Sequence, residues 1–458
     1  MAKQTGLGDN CYVAGYDLSG DIGSLGRIGG GPAALEATGI NKSAFERLFG
    51  LRTGSIEFNS YFNPSTNASH DTLSNLPTSD VIVTYCRGTT LGNPSACLVG
   101  KQINYDGTRG ADGSFTFAVN ALSNGYGIEW GRQLTAGKRT DTAATNGSAV
   151  ASAQGVDAVY LPGTSGAYAS TPDSAGISVT GDIDIRAKVA LDDWTPAAAA
   201  WIFSKANLAG TERSYGLSVN TTGVLQMNWS ADGSTLTTKS STVATGFTDG
   251  TAHWVRVTLD VDNGAAGNTV TFYTSEDGST WTQLGSTVVT AGTTSIFNGN
   301  TALEISGRTA GTQNWLIGSF FEGQIRDGIG GTVVANPVAG TSGITDSAGN
   351  TWTLNGGAVA SNRTEYGLQA YLQAFSFAGT DVTVKIQHSM DNGVNDAWAD
   401  LTGGGFTQIT SAPTAQRIAT TATTPVKKYL RVATTTSGGV TSVVFAVTAV
   451  RNLSTVVF

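Results

Sequence analysis

Apolar and polar positions alternate with a period of two along most of the chain, the signature of half-buried strands. The longest example starts at Tyr366. Leu368, Ala370, Leu372, Ala374 and Ser376 fall on one side, and Gln369, Tyr371, Gln373, Phe375 and Phe377 on the other. A turn at Ala378-Gly379-Thr380-Asp381 leads into a second alternating run ending at His388, so the pair reads as a hairpin. Shorter runs of the same kind occupy 54–62, 81–85, 96–105, 114–120 and 127–130. One stretch breaks the rule. Residues 41–49 place Ala44, Phe45, Leu48 and Phe49 on one helical stripe, with Asn41 as N-cap and Gly50 as stop, so a short helix is expected there. Residues 63–76 read as a loop.

The two-sided strand pattern stops at the polar run 140–151 and resumes only about two hundred residues later. This reads as one domain opened at a surface loop by another, with outer parts 1–153 and 361–458 and an insert at 154–360. The clearest strand of the insert turns Ile183, Ile185, Ala187, Val189 and Leu191 inward and Asp182, Asp184, Arg186 and Lys188 to water. Further short strands at 214–219, 225–230, 253–260, 270–275, 302–306 and 320–329, joined by polar turns such as Asp277-Gly278, suit a two-sheet jelly roll. The expected fold class is all-β: a β-sandwich or barrel with one short helix, interrupted by an inserted jelly-roll sandwich. The glycine-broken first thirty residues suit an arm crossing a neighbouring strand or subunit, or else an unpaired terminus.

Composition agrees with short strands and turns: 60 glycines and 13% charged residues, with nine tryptophans that argue against disorder. The net charge of −8 is unevenly spread. Residues 1–155 hold 12 acidic and 11 basic side chains, 156–360 hold 17 and 8, and 361–458 hold 5 and 7. The acidity belongs to the insert. No basic cluster or recognition helix points to sequence-specific DNA binding. Cys11, Cys86 and Cys97 form no CxxC pair, which speaks against zinc. The opening stretch has no apolar signal core and no run approaches eighteen apolar residues; the expectation is a protein made and assembled inside a cell, without a membrane partner.

Candidate chemistry is sparse. A retaining glycosidase needs two carboxyl groups about 5 Å apart, and Asp182 with Asp184 has a suitable spacing, but the strand continues into Arg186 and Lys188 on the same face, as a solvated face does. Asp260-Val-Asp-Asn-Gly264 alternates carboxylates before a glycine without the closing glutamate of a calcium loop. A hairpin loop fits better, and a single calcium in the insert is left open. His70, His253 and His388 stand apart, outside any nucleophile arrangement. No catalytic residue, cofactor or metal ligand is expected. Seven tryptophans lie in the insert, and sugar sites stack such rings on pyranose rings. Trp194, next to Pro196, and Trp315, after Thr312-Gln-Asn, are the candidates for exposure and glycan contact, with packing in core or loop as the competing reading. Trp229 reads as core beside Leu225 and Met227.

Several segments resemble the major tail tube protein of long, non-contractile-tailed bacteriophages (siphoviruses). They are Thr38-Gly-Ile-Asn-Lys-Ser-Ala-Phe-Glu-Arg-Leu48, Cys86-Arg-Gly-Thr-Thr-Leu-Gly-Asn-Pro94, Asn104-Tyr-Asp-Gly-Thr-Arg-Gly-Ala-Asp-Gly-Ser114, Trp130-Gly-Arg-Gln-Leu-Thr-Ala-Gly137 and Phe445-Ala-Val-Thr-Ala-Val-Arg-Asn452. Tyr168-Ala-Ser-Thr-Pro-Asp173, Gly181-Asp-Ile-Asp-Ile-Arg-Ala187, His253-Trp-Val-Arg-Val257 and Phe321-Glu-Gly-Gln-Ile-Arg-Asp327 resemble laminin-G-like, concanavalin-like jelly rolls. The first resemblance implies a structural virion protein of the tail, assembled in the host cytoplasm. Six copies would form a ring, rings would stack beside other tail proteins, and phage DNA would pass through without sequence-specific binding. A lumen that passes DNA should repel phosphate. Glu57 and Glu129, opposite the core-facing Ile56/Phe58 and Ile128/Trp130, are the lumen candidates, with exterior exposure as the alternative. The second resemblance implies an insert displayed outside, with host-surface polysaccharide as a partner held by many weak contacts. The runner-up is a soluble glycan-binding or glycan-hydrolysing protein with accessory β-sandwiches.

Overall fold

The computed structural model describes residues 6–454. The chain divides into two compact units: Met1–Ala151, Tyr366–Ser389 and Trp398–Phe458 form one, and Ser152–Glu365 with Met390–Ala397 form the other. Among the described residues the architecture is all-β, in antiparallel sheets with no closed barrel.

In the outer unit, Leu368–Gly379 pairs with Val440–Arg451 on one side and Thr414–Ala419 on the other. Val440–Arg451 pairs in turn with Glu129–Gln133 and Arg139–Asp141, so the first and last parts of the chain share one sheet. The ladder continues through Pro94–Arg109, Val81–Cys86 and Asn10–Val13. A second sheet holds Val150–Ala151, Tyr429–Thr435, Thr383–Ser389 and Ala399–Gly405. Between the two sheets Leu368, Ala370, Leu372 and Ala374 bury against Val384, Ile386, Val432 and Phe445.

The turn at 378–381 therefore joins strands of different sheets and closes no hairpin. The reason is geometric. In a flat hairpin the two apolar faces would lie side by side and need a third element to cover them, whereas crossing to the opposite sheet sets them face to face. Asp381 fixes the crossing by accepting the N–H groups of Ser437 and Gly438 at 2.8 and 2.6 Å.

A second core of the same unit forms where Ile22–Glu36, Arg47–Tyr61, Phe115–Ser123 and Pro94–Arg109 pair in succession. Ile56, Phe58, Val83, Leu98 and Val119 meet there with Leu18 and Leu73. The helix expected at 41–49 is absent. Arg47, Leu48 and Phe49 are strand residues opposite Glu36, Leu35 and Ala34, and 37–46 is the loop at the tip, where the Glu46 N–H donates to Thr38 Oγ1 at 3.0 Å. A helix so short is marginal unless its apolar stripe finds a surface, and Phe45, Leu48 and Phe49 stay exposed. The helix that does form, Ser69–Leu73, lies in the stretch read as a loop. Its first turn is held by the Ser69 N–H donating to Asp21 at 2.9 Å, and its anchor is the buried Leu73.

The inserted unit is a two-sheet sandwich. One sheet runs Thr282–Gln283, Gly267–Ser275, His253–Asp260, Ile183–Leu191, Ile317–Asp327, Val156–Pro162 and Val359–Thr364; the other runs Thr237–Ser240, Leu225–Trp229, Glu212–Val219, Ala200–Asn207, Leu303–Ile305, Tyr168–Thr171 and Thr353–Asn355. Ile183, Ile185, Ala187, Val189 and Leu191 point into the core with Phe203, Leu217, Met227 and Trp229. Entry and exit strands are neighbours, with Ala158 opposite Ser361. Adjacent ends are what allow a domain to sit within another without pulling its host apart.

Candidate functional site

Four places carry the functional candidates, and in the outer unit the largest is a ribbon. Ile22–Glu36 and Arg47–Tyr61 are each 15 residues long, far beyond an average strand. Near the sheet their ladder is buried, at Ile56, Phe58 and Ser60. Beyond Gly30 the ribbon leaves that cover. A Cβ at Gly30 would lie 2.2 Å from the Thr53 carbonyl oxygen, so only glycine permits the close crossing there. The distal part presents Leu35, Phe45, Leu48, Phe49 and Leu51 to solvent, the last two at 87% and 90% exposure. Apolar residues sit on both faces of a two-stranded ribbon, and contiguous exposure of this kind marks an interaction surface.

The lumen candidates separate. Glu57 is half-buried and accepts a hydrogen bond from Ser55 at 3.1 Å. Glu129 is engaged: Arg417 forks onto it at 2.8 and 3.1 Å, the Tyr371 hydroxyl donates to the same carboxylate, and Tyr126 lies over the guanidinium at 3.7 Å. Burial alone would lower the Arg417 pKa, but the hydrogen bonds and charge of Glu129 outweigh it and hold the guanidinium above its ordinary value. Burial and the Glu129 charge push the Tyr371 phenol up. Glu129 is therefore neutralised and is no free negative charge. Trp130, expected in the core, is 57% exposed, because Glu129–Gln133 turns that ring out of the sheet where none of the described residues covers it.

In the insert, Trp194 is corrected from exposed to buried, at 1% exposure with Phe247 edge-on at 4.8 Å. Phe247 and His253 stand beside the ring and cover it. Trp315 is 36% exposed and its indole N–H donates to the Gly311 carbonyl at 2.6 Å, which leaves the ring face for contact. It lines a hollow of about 370 Å³ with Asp193, Pro196, Ala197, Asn314 and Ile317.

Asp184 is likewise not solvated. It has no exposed surface and accepts four bonds of 2.8–3.1 Å from Arg186 and Arg256, plus the Gly330 N–H at 3.1 Å. Trp281 covers both guanidiniums at 5.5 and 5.6 Å. Burial pushes the Asp184 carboxyl up, but the two arginines together hold it below the usual carboxylate range. Asp182 accepts the Val261 N–H at 2.9 Å. The hairpin at 260–269 has its carboxylates turned onto its own backbone, with Asp260 and Asp262 accepting the N–H groups of Asp262 and Gly264. Among the described residues no three His, Cys, Asp or Glu side chains gather as metal ligands do.

Sequence alternation indicated none of the ribbon tip, the Arg417–Tyr371 clamp or the Asp184 cage. For the cage one signal existed, since Arg186 faces Arg256 directly across paired strands, an arrangement that needs a carboxylate.

No family model matches the chain, and no curated protein matches it. Among solved structures it is similar to a native heptameric SAP-like pentraxin from Limulus polyphemus, at 15% identity over 45% of this chain and 94% of that one, TM-score 0.31. It is also similar to domains LG4-5 of the mouse laminin α1 chain, at 10% identity over 67% and 84%, TM-score 0.33. A third likeness is to the Dit hub protein of phage SPP1, at 9% identity over 65% and 96%, TM-score 0.20. At these scores none of the three bears on what this chain binds or builds.

Proposed function

We propose that the outer unit is the repeating subunit of a phage tail tube, in which copies form rings, rings stack, and DNA passes through the bore. The observation that carries this reading is the ribbon of Ile22–Glu36 and Arg47–Tyr61, whose distal apolar residues have no cover among the described residues. A second copy supplies it. The main sheet also stays open at its edges, and identical neighbours that pair edge to edge close such sheets into a continuous wall. The insert, with its surplus of acidic residues, then stands outside as a solvated knob.

Electron microscopy of the concentrated protein tests the reading, with the full chain and with residues 152–365 replaced by a short linker. Rings or tubes from both, thinner in the deletion, support it. Monomers of the full chain at every concentration, also when tail extract is added as initiator, overturn it.

The hollow beside Trp315 favours a second role for the insert, contact with host-surface glycans, because it combines an open indole face with the carboxylate of Asp193. The hydrolytic alternative finds no support at the Asp182/Asp184 pair, which is committed to Val261 and to two arginines.

A further inference from the structure

In the inserted unit a pair of arginines stands without a carboxylate. Arg308 belongs to the loop 306–314, which doubles back on the hairpin of Ala200–Asn207 and Glu212–Val219. Thr309 N–H donates to the Ala206 carbonyl at 3.2 Å, and Leu208 N–H donates to Thr309 Oγ1 at 3.2 Å. Arg213, opposite Ala206 in that hairpin, donates from Nη2 to the Leu208 carbonyl at 3.1 Å. The Arg213 guanidinium is thus fixed on the segment 206–208, and the backbone beside Arg308 is tied to the same segment.

Their partners are few. Arg308 donates from Nε to Asn314 Oδ1 at 3.1 Å and its guanidinium lies over Trp201 at 4.9 Å. Among the described residues both Nη atoms of Arg308 and Nη1 of Arg213 bond to nothing and keep solvent access, while the Nε of Arg213 is buried without an acceptor. No acidic side chain among the described residues forms an ion pair with either. Arg186 and Arg256 show the usual solution in this unit, one shared carboxylate. Burial, and after it the charge of Arg213, hold the Arg308 guanidinium below its ordinary value.

The loop is built to hold this geometry. Ser306, Thr309, Ala310 and Asn314 have φ of +72°, +60°, +55° and +57°, a region that L side chains rarely enter. The buried Glu304 carboxylate keeps them there by accepting the N–H groups of Ala310 and Gly311 at 2.8 and 2.9 Å. Glu304 is occupied with the loop and is not the counter-charge.

We propose that Arg213 and Arg308 form a binding site for an oxyanion, the carboxylate, sulfate or phosphate group of an acidic polysaccharide. Open N–H groups from two guanidiniums suit an oxyanion with several acceptor oxygens. The insert's negative charge opposes non-specific capture of a polyanion, so binding depends on this pair.

The test uses the full chain at fixed ionic strength, with sodium sulfate, sodium phosphate and sodium glucuronate as separate probes against sodium chloride. Saturable binding in the millimolar range by calorimetry, with a rise in Tm, is expected for at least one probe, and the preferred probe identifies the class of polysaccharide. Arg308→Gln and Arg213→Gln should each weaken binding at least tenfold and remove the Tm response. Arg308→Lys, which keeps the charge but loses the fork, should retain part of it. Either glutamine variant suffices if the other does not fold. Equal binding in the variants, or no saturable binding of any probe, overturns the proposal. The outcome does not depend on whether the chain polymerises.

Discussion

Asp184 sits where strand alternation turns a side chain away from the core, yet its carboxylate is sealed under two guanidiniums and an indole. Removing it leaves two half-buried cations facing each other. Asp184→Ala should cost the insert about 2 kcal/mol, less than a fully buried pair because the arginines keep some solvent contact. Urea unfolding followed through tryptophan fluorescence measures this. The pH dependence has a fixed sign. The folded carboxyl titrates below its unfolded value, so its stabilisation is complete above about pH 4 and is lost as pH falls through the folded pKa. The urea midpoint should fall in acid for the wild type and fall less for Asp184→Asn. Alternation read the inward set from Ile183 to Leu191 correctly and misplaced Asp184 and Trp130. The pattern states which side of a strand a residue takes. It does not state whether something else covers that side.

Among the elements, the ribbon shows the same limit in reverse. Residues 41–49 carry a helical stripe, but a stripe needs a surface, and the ladder from Glu36–Arg47 inward offers hydrogen bonds the lone helix would have to replace. Phe49→Asp with Leu51→Asp should abolish rings and tubes while changing the stability of the monomer by less than about 0.5 kcal/mol, as exposed sites do. Light scattering reads the first effect and urea unfolding the second; assembly that survives both charges would remove the ribbon from the interface. Two hairpins, Gly267–Ser275 with Thr282–Gln283 and Thr383–Ser389 with Ala399–Gly405, share one device: Arg186 and Arg256 lie on Trp281 in one, and Arg431 lies on Trp398 at 4.4 Å in the other.

At the level of the whole molecule, the insertion was visible from the interrupted strand pattern, but its boundary is not two clean cuts. Met390–Ala397 belongs with the insert although it lies far beyond residue 360. Met390 is buried with Tyr160 and Phe321, and its carbonyl accepts the Ser361 hydroxyl at 2.6 Å. Met390→Ala should therefore destabilise the insert by about 2–3 kcal/mol, the cost of a buried cavity. Differential scanning calorimetry should show the insert's transition move and the outer unit's stay. No local pattern announces such a loop, since its burial depends on a strand two hundred or so residues earlier.

The sharing of one sheet by both ends of the chain sets a clock on synthesis. Glu129–Gln133 waits for Val440–Arg451, which leaves the ribosome about 300 residues later, a delay of about 15–60 s at ordinary elongation rates. Throughout that time the host sheet lacks its central strands, while the insert, contiguous apart from one loop, can fold as it emerges. A chain that stops before Val440 therefore leaves Glu129–Gln133 and Leu368–Gly379 without the strand that joins them.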